Sequence, residues 1–125
     1  MKTIQKSGED YLEVIYNLSL ECENVRSTDI SNALKVTKPS THKALISLAE
    51  QGYIQKQPYG TVMLTERGSV IAKSILKKHK AIRTLLIDIL GVSQANAEID
   101  ACKIEHCIGE ETTKKLYDFL SKAAL

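Results

Sequence analysis

Apolar and polar positions alternate along this chain in rhythms that mark a series of short helices interrupted by one hairpin. Tyr11, Leu12, Ile15, Tyr16 and Leu18 supply an apolar side, while Asp10, Glu13 and Asn17 repeat on the other. An amphipathic helix is therefore expected from about Glu9, with Ser7 as candidate cap. After Cys22-Glu23-Asn24, the run Ser27-Thr28-Asp29 reads as a cap and first turn, followed by Ile30, Ala33 and Leu34 at core spacing. Lys35-Val36-Thr37-Lys38 is the expected turn. Pro39 then opens a third helix, where its missing N–H costs nothing, and Ala44, Leu45 and Leu48 carry it to a stop at Gly52. Two short helices joined by such a turn, the second opening on small polar residues, form the helix-turn-helix pattern.

The rhythm then changes to that of strands. Tyr53-Ile54-Gln55-Lys56-Gln57 and Thr61-Val62-Met63-Leu64 flank the turn Pro58-Tyr59-Gly60, a hairpin placed where a winged helix carries its wing. Helical periodicity resumes at Thr65-Glu66, with Thr65 as candidate cap, and is expected to run to Leu90 before Gly91. Its stripe includes Ile75, His79, Ile82 and Leu86. Ser93 is the candidate cap of a helix expected to reach Ile108, and Gly109 separates it from a last one with Leu116, Phe119 and Leu120 on its apolar side. The predicted class is mainly α: a winged helix-turn-helix with a small two-stranded wing over residues 1–72, then a helical part over 73–125. Short helices that cannot bury their apolar faces alone suit self-association as a homodimer.

Charge sharpens this picture. The net charge of +2 hides ten Lys/Arg against two acids between Lys35 and Arg83, and seven against thirteen elsewhere. A basic middle in an otherwise acidic chain is a footprint for phosphate. Lys38, Lys43, Lys56 and Arg67 surround the proposed reading surface, and Ser40, Thr41, His42 and Lys43 are the residues expected to reach base edges or phosphates of double-stranded DNA. No apolar run approaches the roughly 20 residues of a membrane span. The amino terminus lacks an apolar signal core, and three cysteines without a framework of spacings fit a reducing cytoplasm.

On a helix, Cys102, Glu105 and His106 share one face, three and four residues apart. A thiol, a carboxylate and an imidazole so placed can hold a metal, but divalent transition metals take four to six donors, so others are needed. Asp10 and Glu13 on one helix and His79 on another are the available ones; each alone reads as a solvated or core residue. Three further readings remain open. The 102–107 face could be structural in a metal-independent winged-helix regulator. Cys102 with His106 could be a nucleophile pair, although i, i+4 placement suits chelation better and nothing signals an oxyanion loop or small-molecule substrate. Cys102, His106 and Cys107 could hold a structural zinc, although Cys107 lies on a different side of the helix.

Taken together, Glu9-Asp10-Tyr11-Leu12-Glu13-Val14-Ile15-Tyr16, the Pro39 segment, Leu64-Thr65-Glu66-Arg67-Gly68, Lys78-His79 and Cys102-Lys103-Ile104-Glu105-His106 resemble the bacterial metal-dependent repressors of the diphtheria toxin repressor and manganese transport regulator family. The resemblance covers nearly the whole chain. It implies a homodimer that takes a divalent metal, Mn2+ or Fe2+ with Co2+ or Zn2+ in vitro, as corepressor and then binds a palindromic operator controlling metal homeostasis. It also implies a ligand set of Asp10, Glu13, His79, Cys102, Glu105 and His106. Asp10 is the manganese-type residue at its position, whereas Cys102 is the iron-type one, so the set is a hybrid. Without the carboxy-terminal domain of the long iron-type members, the chain is similar to the short manganese-type branch. Arg83 and Glu98 stand where iron-type members carry Glu and His of an ancillary site. A metal joining the first helix to the helices of His79 and residues 102–106 would set the spacing of the two reading heads, and half-sites recur at about 34 Å or its multiples.

Overall fold

The structure, a computed structural model, describes residues 6–123. The chain divides into two compact units, one up to Lys73 and one from Ser74 onward. No helix among the described residues is long and apolar enough to cross a membrane.

The first unit begins with α1 (Lys6–Glu21), in which Ser7 already lies inside the helix. It buries Tyr11, Leu12 and Ile15, the side that the periodicity selects. A two-residue strand, β1 (Val25–Arg26), leads directly into α2 (Ser27–Leu34). Ser27-Thr28-Asp29 marks this start to within one residue, since Ser27 is already helical and the cap lies just before it. Arg26 occupies the cap position, and its backbone N–H donates to the Asp29 carboxylate at 3.0 Å. Lys35 then takes a left-handed conformation, which ends α2 and turns the chain. In α3 (Lys38–Glu50) the Thr37 hydroxyl accepts from the backbone N–H of Ser40, and Pro39 stands in the first turn. Gly52, with φ of +83°, lets the chain leave α3 and enter β2 (Ile54–Lys56).

The wing contains more than a hairpin. β2 and β3 (Thr61–Leu64) pair antiparallel, Ile54 opposite Leu64 and Lys56 opposite Val62; β1 adds to the far edge of β3 with Val25 opposite Val62. The sheet order is β1-β3-β2. Two residues carry too little alternation to announce a strand. Val25 is held because its side chain enters the core of Leu12, Ile15, Ile30, Leu45, Leu48, Ile54 and Val62, and burying one such aliphatic side chain stabilises by about 1.5–3 kcal/mol. At the tip, Tyr59 and Gly60 both have positive φ, the twist that suits a tight hairpin.

Helix α4 (Glu66–Thr84) starts in the first unit and runs on into the second. Its start is locked onto the entry to β2. Thr65 donates its hydroxyl to Gly52 O at 2.7 Å and accepts from Gly68 N at 3.1 Å, as its candidate capping role implies. A Cβ at Gly68 would lie 2.0 Å from the Tyr53 carbonyl oxygen. Beyond Thr84 the expected continuation to Leu90 is wound more widely, as a π-type turn over Leu85–Ile89, before left-handed Gly91 ends it.

In the second unit, Ser93 caps α5 (Gln94–Ile104) by accepting from Asn96 N, as anticipated. The helix is shorter than expected: the chain tightens after Ile104, where Cys107 N and Ile108 N both donate to Ile104 O. Glu105 nonetheless keeps helical dihedrals and donates its N–H to Ala101 O, so the spacing of 102, 105 and 106 survives. The last helix is α6 (Glu110–Lys122), where Tyr117 lies under the Lys77 ammonium, 4.4 Å from ring centroid to nitrogen.

Gly68→Ala should force backbone apart at the joint between β2 and α4. The expected loss is about 1–3 kcal/mol, read as a lower urea midpoint; an unchanged midpoint would show that this contact is not close.

Candidate metal centre and nucleic-acid interface

Along α5 the four-residue repeat Ala97, Ala101, Glu105 is buried throughout. Two methyl side chains leave room for close packing, and the same line carries the Glu105 carboxylate inward until only 2% of the residue is exposed. A buried carboxylate is costly unless it is paired. Its oxygens lie 3.0 Å from Nδ1 of His79 on α4 and 3.4 Å from Nε2 of His106. The Cys102 Sγ approaches the same Nδ1 of His79 at 4.0 Å.

The other ring nitrogen of His79 is also engaged, since Nε2 lies 2.8 Å from a Glu98 oxygen. A neutral imidazole donates from one nitrogen only, so it can satisfy one of these two carboxylates. On the other side a nitrogen lone pair and a carboxylate oxygen face each other, an arrangement that requires a cation or a second proton. Glu98 completes a group with His79 and Cys102 whose donor atoms lie within 4.8 Å of one another. Bonds of about 2.0–2.3 Å to nitrogen, oxygen and sulfur place neighbouring donors roughly 3–4 Å apart, so the separations around Nδ1 fit a divalent cation.

The structure thus brings His79, Cys102, Glu105 and His106 together in the second unit. Asp10 and Glu13 belong to the first, one turn apart on α1 and both half-buried. Glu98, expected only at the place of an ancillary-site residue and not among the ligands, joins the group of His79 and Cys102; it precedes Cys102 by one helical turn, as Cys102 precedes His106. The three cysteines remain outside disulfides.

On α3, Lys38, Pro39, Ser40, His42 and Lys43 are exposed, as Lys56 is on β2. Thr41 corrects the expectation that it reaches DNA. It is 1% exposed, its hydroxyl is 2.8 Å from that of Ser31 on α2, and it continues the buried line of Leu45 and Leu48. Thr41 therefore fixes the two helices of the motif against each other. Arg67 is exposed yet committed on one side: its guanidinium donates to Gln51 O at 2.8 Å and stands over the Tyr53 ring, 4.6 Å from the centroid. Arg26, on the outer strand opposite Thr61, is an exposed cation beside the wing that sequence reading did not include.

Residues 3–62 match the family description "Iron dependent repressor, N-terminal DNA binding domain", and residues 65–124 match "Iron dependent repressor, metal binding and dimerisation domain". An uncharacterised HTH-type transcriptional regulator of Methanocaldococcus jannaschii is 34% identical over 120 residues, covering 95% of this chain and 96% of that protein. The transcriptional regulator MntR of Salmonella typhimurium is 36% identical over 104 residues, 83% of this chain and 66% of that protein. Among solved structures, the manganese regulator SloR superposes with a TM-score of 0.81 at 27% identity, over 96% of this chain and 55% of that one. The chain thus spans just over half the length of that solved relative. With both halves matched in order, the chain belongs to the iron-dependent repressor family of the diphtheria toxin repressor and manganese transport regulator type, whose members are transcriptional regulators and not enzymes.

Proposed function

We propose that the chain is a metal-dependent transcriptional repressor that binds operator DNA as a homodimer when loaded with Mn2+ or Fe2+, and so controls metal homeostasis in the cytoplasm. The observation that carries this reading is the buried Glu105 carboxylate facing His79 beside the Cys102 thiol, in a chain whose other half is a helix-turn-helix with an exposed polar face. His79, Cys102, Glu105 and His106 are the proposed ligands from the second unit, and Asp10 and Glu13 those from the first. Carboxylates, imidazoles and a thiol are donor types that a divalent cation accepts.

The donor set bears on metal choice. Carboxylates and imidazole suit Mn2+ and Fe2+, and the manganese regulators among the relatives support the former. The Cys102 thiolate shifts preference toward later, softer ions, so Co2+ and Zn2+ are expected to bind in vitro. On the DNA side, Ser40, His42 and Lys43 are the proposed base and phosphate contacts; Lys38, Lys56 and Arg67 add positive potential around them, and Pro39 fixes the start of the reading helix. With proposed ligands on each unit, loading would favour one spacing of the two reading heads in a dimer, and spacing decides whether both half-sites are reached.

Two outcomes are expected. Glu105→Ala should keep the helical circular dichroism of the parent but lose metal affinity by more than the roughly 10- to 100-fold that removing an outer partner costs; calorimetry showing parent-like Mn2+ binding would refute the ligand assignment. Lys43→Ala should weaken binding to a duplex selected from a random-sequence pool and flatten the log–log salt dependence by about one unit. Equal affinity and slope in the two proteins would remove α3 from the interface.

A further inference from the structure

Glu98 touches two partners at once. Its Oε1 lies 2.8 Å from His79 Nε2, and its Oε2 lies 3.2 Å from Nε of Arg83. Arg83 and His79 are one helical turn apart on α4, so the guanidinium and the imidazole approach the same carboxylate from one side. Arg83, His79 and Glu98 therefore form a chain of contacts that ends on the ring nitrogen pointing away from Glu105 and Cys102. The opposite nitrogen, Nδ1, is the one that faces both of those donors.

From this we infer that Arg83 and Glu98 are positioning residues for the metal centre: Arg83 holds the Glu98 carboxylate, Glu98 accepts the Nε2–H of His79, and the ring is thereby fixed with Nδ1 as its metal-binding atom. The inference rests on the functional reading above and deepens it. Its physical basis is general, since an imidazole ligand needs its second nitrogen hydrogen-bonded to set both tautomer and ring orientation, and a carboxylate also raises its basicity. Glu98 is only partly shielded, with 54% of its side chain exposed, and Arg83 has 47% exposed. A single exposed ion pair contributes little to folding, so the pair's effect belongs in the orientation of His79 rather than in stability.

The same geometry argues against Glu98 as a ligand of the ion held on Nδ1. Its nearer oxygen is engaged on the far side of the ring and its other oxygen by a guanidinium, which repels a second cation.

The test uses the full chain and two readouts. Long-range 15N–1H correlation of the histidines in Zn2+-loaded protein should show His79 with a retained Nε2 proton and a metal-bound Nδ1. Competition with a chelator should show Arg83→Ala and Glu98→Ala binding Zn2+ about 10- to 100-fold more weakly, at unchanged metal-to-chain stoichiometry, with loss of the sharp Nε2–H signal. Glu98→Gln, which keeps an oxygen acceptor, should recover part of both. Metal on Nε2, a stoichiometry that falls in Glu98→Ala, or variants with parent-like affinity would each overturn the inference while leaving the functional reading in place. Failure of the unaltered chain to bind any metal would overturn both.

Discussion

A carboxylate taken out of water sets the terms for the carboxy-terminal half of this chain. Glu105 is almost wholly buried because it continues the alanine line of α5, and even after relaxation a buried ion costs several kcal/mol unless its charge is met. His79 and His106 meet it with ring nitrogens. His79 is held from its other side by Glu98. Carboxylates, imidazoles and a thiol gathered in this way are donor types that a divalent cation can use, and a ligand that binds one conformation preferentially shifts the population toward it.

The amino-terminal half solves a different problem, which is to present an exposed polar helix at a fixed angle. Its precision comes from contacts that never face DNA. The Ser31–Thr41 pair joins α2 to α3 inside the motif, and Thr37 caps the helix whose first turn carries Lys38, Pro39 and Ser40. Gly68 lets α4 press against the Tyr53 carbonyl, and Arg67 bridges the end of α3 to the same tyrosine. Reading helix, wing and long helix are thus fastened at one junction. Buried apolar side chains from every element of the unit back it.

Periodicity made most of this legible. The helical stripe of Tyr11, Leu12 and Ile15 is the buried one, the caps Thr65 and Ser93 work as read, and the hairpin lies where the alternation places it. What escaped was set by tertiary contact rather than by local pattern. β1 is two residues long and exists because β3 and the core accept Val25. Thr41 looks like a surface residue by type, and only its phase with Leu45 and Leu48 shows that it is buried. The widening of the helix at Leu85–Ile89 and the early end of α5 leave the apolar rhythm intact and so cast no shadow in it. In the cluster around Glu105, the gathering of residues 79, 102, 105 and 106 is legible from spacing and resemblance, whereas the contact of Glu98 with one ring nitrogen of His79 depends on side-chain rotamers that sequence does not encode directly.

On the proposed function, occupancy of the cluster around Glu105 governs operator binding. Fluorescence anisotropy of a labelled, selected duplex, followed while chelator-treated chain is titrated with Mn2+, anoxic Fe2+, Co2+ or Zn2+, addresses it most directly. Weak, sequence-indifferent association is expected without metal, and a steep gain in affinity with at least one of these ions, reversed by added chelator. Tight, specific binding by verified metal-free protein, unaltered by any of the four, would contradict it.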